Sequence, residues 1–309
     1  MEIEILGTES LGVRGLCCSV TTADRRILID PGVALGYHRQ GLLPHPIQVA
    51  AGEEVRRAIV NRLGDATDVI LSHFHGDHIP LENANPYQLA LKSTAELLRY
   101  RRIWMKRIQG ETPHIAERRR VLLATFKQAP RTCDGESEGP LAFSNPMPHG
   151  FERKPMGTVM MTRIQEGSDV FVHASDIQLL ADAPVLQILK WSPTVLLASG
   201  PPIYRRLRAE DLARTRERAR ELARHIAVCI LDHHLLRCRE GVDWLDELRS
   251  ESGGRILCAA DYMKRTRRLL ESRRKELYER VPVPKEWHDH YASGKTTTQA
   301  FRKYREDAA

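Results

Sequence analysis

Short apolar and β-branched runs open the chain, separated by Gly, Arg and Asp turn residues: EIEILG at 2–7, LCCSVTT at 16–22 and RILID at 26–30. Such runs predict strands. Val55, Ile59, Val60 and Leu63 then recur at helical spacing, predicting a helix over about 51–63. DVILSH at 68–73 predicts another buried strand. Asn85-Pro86 with Gln88 has the form of a helix start with a capping box, and the helix can run on through 108. Further strands are expected at 121–126 (VLLATF), 158–164 and 169–175. From about 177 the pattern alternates: helix at 177–190, strand at 194–199, helix at 209–225, strand at 226–232, and a helical, Arg-rich tail from about 260. Strand-rich blocks with attached helices predict a layered α/β protein with helices packed outside two sheets. No linker is long or polar enough to cut the chain, so 1–309 reads as one domain, with 260–309 an extension packed on it.

Composition narrows the class without choosing a function. Hydrophobic residues at 42% and charged residues at 28% exclude a largely disordered chain. No apolar run approaches the ~18 residues that would span a bilayer. The start MEIEILGTES has no basic region followed by an apolar one, so a cytoplasmic protein is expected. None of the six cysteines forms a CxxC pair, which argues against a zinc ribbon or a thioredoxin-type motif.

The informative segment is Ser72-His73-Phe74-His75-Gly76-Asp77-His78, where an apolar strand delivers three histidines and an aspartate within six residues. His73 and His75 are two apart and can share a side at a strand end. Gly76 is expected to let the backbone turn sharply, carrying Asp77 and His78 round. Imidazole and carboxylate groups converging in this way suit a first-row divalent cation. Burying them unpartnered against an apolar strand would be costly. Two-metal hydrolytic sites need further ligands, and His149, Asp176 and the pair His233/His234 stand at turns or strand ends elsewhere.

HFHGDH resembles the HxHxDH signature of the metallo-β-lactamase superfamily. The order of the other elements is similar too: an early strand-ending Asp30, a lone His, a strand-ending Asp and a late His. The stretches ESLGVRGL, ILIDPGVALG, LSHFHGDHIPL, NPMPHG, HASDIQ, ASGPP and DHHLLR most resemble a largely archaeal family within that superfamily, one that implies no particular substrate. The resemblance implies a four-layer αββα sandwich of two mixed sheets with outer helices. It implies that His73, His75 and His149 hold a first metal. Asp77, His78 and a late His would hold a second, with Asp176 bridging both. His233 and His234 both remain open as the late ligand, His233 being favoured because it comes first after the strand. Asp30 would lie beneath the site, orienting a ligand; a plain turn residue before Pro31-Gly32 is an equal alternative. His173 is expected to point away or to pack structurally.

The implied chemistry is hydrolysis by a water acidified between two divalent cations, with Asp77 or Asp176 accepting its proton. Zinc suits the imidazole-rich set best, and manganese or iron also fits. A metal-dependent nuclease, a non-catalytic metal-binding protein and a di-iron oxidoreductase are the alternatives. Arg-dense stretches at 99–108, 117–120, 204–224 and 263–280, with Tyr100, Trp104 and Tyr204 among them, could meet nucleic acid. Interleaved Glu and Asp at i,i+4 spacing and a net charge of only +7 favour a solvated, ion-paired helix face instead. Arg237 and the SGPP turn at 199–202 are further candidates for a substrate pocket.

Overall fold

The computed structural model describes residues 1–108, 111–152 and 157–304. Its first sheet runs in chain order: β1 (Glu2–Gly7), β2 (Cys17–Thr21), β3 (Arg26–Ile29), β4 (Asp68–Leu71), β5 (Arg102–Met105) and β6 (Arg131–Thr132). β1 to β3 pair antiparallel, and β3 to β6 pair parallel. The second sheet uses β7 (Ser137–Glu138), β8 (Leu141–Phe143), β11 (Thr162–Glu166), β12 (Asp169–His173), β13 (Val195–Ala198), β14 (Val228–Leu231) and β15 (Ile256–Leu257). Its order is β15-β14-β13-β12-β11-β8-β7, parallel from β12 to β15. A small hairpin of β9 (Met147–Pro148) and β10 (Thr158–Val159) stands apart from both.

Period-2 alternation explains why the first sheet is buried on both faces. Ile5, Cys18, Ile27, Ile29, Ile70 and Trp104 face inward, into one core with Phe171, Leu197 and Ile230 of the second sheet. Their neighbours Leu6, Cys17, Leu28, Val69, Ile103 and Met105 face outward, into a second core under helix α1 (Pro46–Asp65). Leu270, Leu277, Trp287 and Phe301 from the C-terminal region join that outer core. On the far side, α5 (Ala209–His225) and α6 (Arg239–Glu251) bury Leu222, Leu245 and Leu248 against the second sheet. This is the αββα sandwich with outer helices that the resemblance implies.

Two expected elements differ. The helix drawn from Asn85 to 108 does not form, although its capping bonds do: Asn85 N–H donates to Gln88 Oε1 at 3.1 Å, and Tyr87 N–H to Asn85 Oδ1 at 2.9 Å. Only the short helix α2 (Ala95–Leu98) follows before β5. Strand β5 wins because it puts Trp104 into one core and Ile103 and Met105 into the other, a two-sided burial that a surface helix lacks. The expected strand at 121–126 largely belongs instead to helix α3 (Pro113–Leu123), which Thr112 caps and Pro113 begins. Helix α1 starts five residues before the expected 51, at Pro46, with His45 as its cap. The last residues of the expected helical tail, 305–309, lie outside the described residues.

The Arg-rich faces are laced with carboxylates. Arg216 reaches Glu247 and Glu251 at 2.8 and 2.6 Å, Arg218 reaches Asp182 at 2.6 Å, and Arg220 reaches Glu251 at 3.0 Å. Trp104 is buried between the sheets with its indole N–H on Asp68, so it offers no surface for stacking. All six cysteines are free, and Cys238 alone is not fully buried. Among the described residues no helix is long and apolar enough to cross a membrane.

Candidate metal centre

Five segments far apart in sequence meet where the two sheets expose strand ends. β4 ends at Leu71, and the loop that follows delivers His73, His75, Asp77 and His78. The β9–β10 hairpin carries His149, the end of β12 carries Asp176, and the end of β14 carries His233 and His234. Asp30 follows β3.

Asp176 is the hub. Its Oδ2 lies 3.5 Å from His73 Nε2, 3.7 Å from His75 Nδ1, 3.4 Å from His149 Nε2 and 3.2 Å from His234 Nε2. Its Oδ1 lies 3.2 Å from His78 Nε2 and 3.5 Å from His233 Nε2. Asp77 Oδ2 lies 3.4 Å from His233 Nε2. Donors sharing a tetrahedral ion at bond lengths near 2.1 Å sit about 3.4 Å apart. The observed spacings match that value on both sides of Asp176. Two triads therefore share one carboxylate: His73, His75 and His149 on one side, Asp77, His78 and His233 on the other.

The unsatisfied atoms agree. Nε2 of His73, His78 and His149 and Oδ1 of Asp176 are buried without a hydrogen-bond partner. Buried polar atoms in a native fold are seldom orphaned, and one cluster holding four of them fits a cation.

Residues beneath the cluster fix the imidazoles. Asp30 Oδ2 accepts from His78 Nδ1 at 3.0 Å, which leaves Nε2 aimed at Asp176. Asp30 Oδ1 accepts from the Ser72 N–H at 2.8 Å. Ser72 Oγ donates to Asp30 Oδ2 at 2.6 Å and lies 2.9 Å from His73 Nδ1. One carboxylate thus sets two rings, His78 directly and His73 through a hydroxyl. Ser175 Oγ adds a fourth bond to Asp30 at 2.9 Å, tying the end of β12 to the end of β3. Asp30 and Ser175 both have left-handed backbone, with φ +48° and +50°, a strained conformation held where the two sheets meet.

His233 has its own support. Glu9 Oε2 accepts from His233 Nδ1 at 2.7 Å, while Glu9 Oε1 accepts from Arg237 Nε at 2.7 Å. Arg237 is buried and reaches within 3.6 Å of Asp77 Oδ2. His234 instead places Nδ1 3.2 Å from the Tyr204 hydroxyl. The two histidines left open by the sequence thus have different partners: His233 joins Asp77, and His234 faces only the other oxygen of Asp176. His173 packs structurally, with Nε2 on the Leu16 carbonyl at 2.9 Å. The SGPP turn braces the Asp176 segment, since Ser199 N–H donates to Ser175 O and Gly200 N–H to Ile177 O.

Electrostatics follow from this crowding. Burial opposes ionisation of Asp176, but His78, His234 and His233 around it hold its carboxyl well below the usual range. Burial would lower His78, yet Asp176 and Asp30 outweigh it and raise the imidazole well above its ordinary value. Burial together with His78 and His75 drives His73 down to about 4, and burial takes His149 to about 3. Glu9 is raised by burial.

Gly76 needs a different explanation from the one its sequence suggests. Its φ lies outside the left-handed range, so the turn does not demand glycine. Space asks for it only mildly: a Cβ there would stand 2.9 Å from Leu81 Cδ1, the movable tip of a side chain. Gly32 is tighter still, since its Cβ would lie 2.2 Å from the His78 carbonyl carbon and the Ile79 nitrogen. Glu9, Ser72 and Ser175 are site residues to which sequence reasoning gave no role, and Tyr204, read there only as an aromatic for nucleic acid, instead meets His234. Glu9 stood inside the quoted ESLGVRGL, and Ser72 and Ser175 directly precede site residues; those positions were the available signal.

No family model matches the chain. Among solved structures, an isothiocyanate hydrolase from Delia radicum gut bacteria superposes with a TM-score of 0.50 at 16% identity, covering 80% of this chain and 94% of that one. The metallo-β-lactamase fold protein YhfI from Bacillus subtilis gives 0.46 at 15% identity, covering 83% and 93%. The likeness to the first of these is one of fold alone. A UPF0282 protein of Methanopyrus kandleri is 36% identical, covering 90% of this chain and 99% of its own. A UPF0282 protein of Methanosarcina mazei is 43% identical over 302 residues, 97% of this chain and 99% of its own length. The chain belongs to the UPF0282 family.

Proposed function

We propose that the protein is a hydrolase that uses two divalent metal ions. The observation that carries this reading is the pair of donor triads sharing Asp176 at metal-ligand spacing. Charge supports it as well. Glu9, Asp30, Asp77 and Asp176 gather around the cluster against one buried guanidinium, Arg237, and such an excess of negative charge calls for cations. His73, His75 and His149 would hold one ion, and Asp77, His78 and His233 the other, with Asp176 between them. The imidazole-rich donors suit zinc, and manganese or iron also fits. When bound, such ions supply Lewis acidity and bring a water to hydroxide near neutral pH.

The chain's own groups divide the remaining work. Asp30 and Glu9 keep Nδ1 of His78 and His233 occupied, so that each Nε2 faces inward, that of His233 taking a hydrogen bond from Arg237 Nη2 at 2.8 Å. Asp176 is buried with imidazole nitrogens facing both oxygens, whereas Asp77 keeps part of its carboxylate exposed, so Asp77 is the better acceptor for a water proton. The experiment is a screen of model phosphodiesters, lactones and thioesters on metal-quantified protein, with His75→Ala as the inactive control. Turnover in the wild type, with metal retained but turnover lost in Asp77→Asn, is the expected result. Unchanged turnover in Asp77→Asn would reject its role, and turnover that persists in His75→Ala would reject the metal reading.

A further inference from the structure

On the outer side of the HFHGDH loop lies a cavity of about 200 Å³ that the proposed chemistry does not use. Leu81, Leu91 and Val121 form an apolar wall, Gln88 and Arg118 bring donors to it, and the carboxylates of Glu82 and Glu117 also line it, Glu117 being paired with Arg120. It abuts the metal centre at Gly76, the residue between His75 and Asp77. A Cβ built on Gly76 would lie 3.5 Å from Arg118 Nη2 and 3.5 Å from Gln88 Nε2, so two nitrogen donors converge over this one glycine.

Both donors are available. Gln88 Oε1 is committed to the Asn85 N–H, which turns Nε2 away from its own loop. Arg118 is half-buried, yet no carboxylate of the described residues lies within ion-pair distance of it. Of its neighbours on α3, Arg120 is committed to Glu117 at 2.6 Å, whereas Arg119 also lacks a carboxylate partner among the described residues. On α5, Arg216, Arg218, Arg220 and Arg224 all have carboxylate partners. A half-buried guanidinium beside a metal site, attracted by Asp77 but with no carboxylate of the described residues in ion-pair contact, is suited to an anion from outside. The missing side chain at Gly76 is what lets such an anion approach both donors.

We propose that this cavity is the recognition pocket of the metal centre, where Arg118 and Gln88 receive a carboxylate or phosphate group carried on a small, apolar-bodied substrate. This rests on the hydrolase reading for what happens at the metals, but the binding it describes is measured without turnover. The apolar wall takes the body of the molecule, the guanidinium and carboxamide take the charged end, and the scissile bond falls on the His75–Asp77 side.

The test is calorimetric titration of the metal-loaded full chain with phenylphosphonate, which has no ester bond to cleave, phenylacetate and the neutral 2-phenylethanol. The anions are expected to bind at least about tenfold more tightly than the alcohol. Arg118→Met is expected to weaken both anions by on the order of tenfold, with metal content and alcohol binding unchanged. Gln88→Glu, which supplies Arg118 with a carboxylate, is the second variant and is expected to abolish anion binding. The tighter of the two anions identifies the natural head group. Absence of anion binding in the wild type, equal binding of anion and alcohol, or undiminished anion binding in either folded variant overturns the proposal. Arg118-dependent binding with no hydrolysis of any ester would sink the hydrolase reading alone. Hydrolysis with Arg118-independent binding would sink this one alone.

Discussion

Asp30 carries more of the site than its place in a Pro-Gly turn suggests. As a carboxylate it accepts from His78 Nδ1 and from the hydroxyls of Ser72 and Ser175, which turns His78 Nε2 toward Asp176. In Asp30→Asn one oxygen becomes an NH₂ group that donates. His78 Nδ1 must then accept, its proton moves to Nε2, and the nitrogen facing Asp176 can no longer bind a cation. Metal affinity is expected to fall about 10- to 100-fold, read by competition against a chromogenic chelator, with secondary structure retained in circular dichroism. Affinity equal to the wild type would show that Asp30 does not orient the ring. At this scale the sequence was legible where ligands are contiguous, as in His73 to His78. It was silent where an ordinary residue gains meaning by long-range contact. Glu9 meets His233 from 224 positions away, and Ser175 meets Asp30 from 145.

Elements were legible where a single pattern governs them. Strands β1 to β4 and helix α5 follow their periodicity closely because each buries one consistent set of positions. The segment from Asn85 to 108 misleads for a physical reason. Its capping hydrogen bonds form, but helix propagation loses to the two-sided burial of Ile103, Trp104 and Met105 in β5. Helix α1 begins with a histidine cap, an uncommon choice that hid its first turn. His45 Nδ1 accepts from the Ile47 N–H, and its Nε2 meets the Val281 carbonyl at 2.9 Å, joining α1 to the C-terminal region. Burial pushes this imidazole down to about 4 from an ordinary 6.5. A histidine lowered in the fold takes up its proton first in the unfolded chain. The stability it contributes is therefore complete above pH 6.5 and is lost as pH falls toward 4, by about 3 kcal/mol in all. Thermal melts from pH 7.5 to 4.5 should show a shallower decline for His45→Asn than for the wild type. Equal slopes would contradict the assignment.

At the scale of the whole molecule, the centre sits on the seam of the sandwich. β4 brings His73 to His78 from one sheet, β12 and β14 bring Asp176, His233 and His234 from the other, and a separate hairpin brings His149. No segment holds a complete donor set for two ions, so the cluster exists only when the two sheets are packed. The order of motifs along the chain foretold this assembly, because each lies at the end of a strand. Which oxygen of Asp176 each histidine meets needed three dimensions. The central claim is that Asp176 joins two cation positions. Elemental analysis of the purified full chain, after dialysis with excess zinc and removal of the unbound ion, tests it most directly. Two ions per chain in the wild type, and fewer than one in a folded Asp176→Ala variant, is the predicted result. Zero ions in the wild type, or two in the variant, would contradict it.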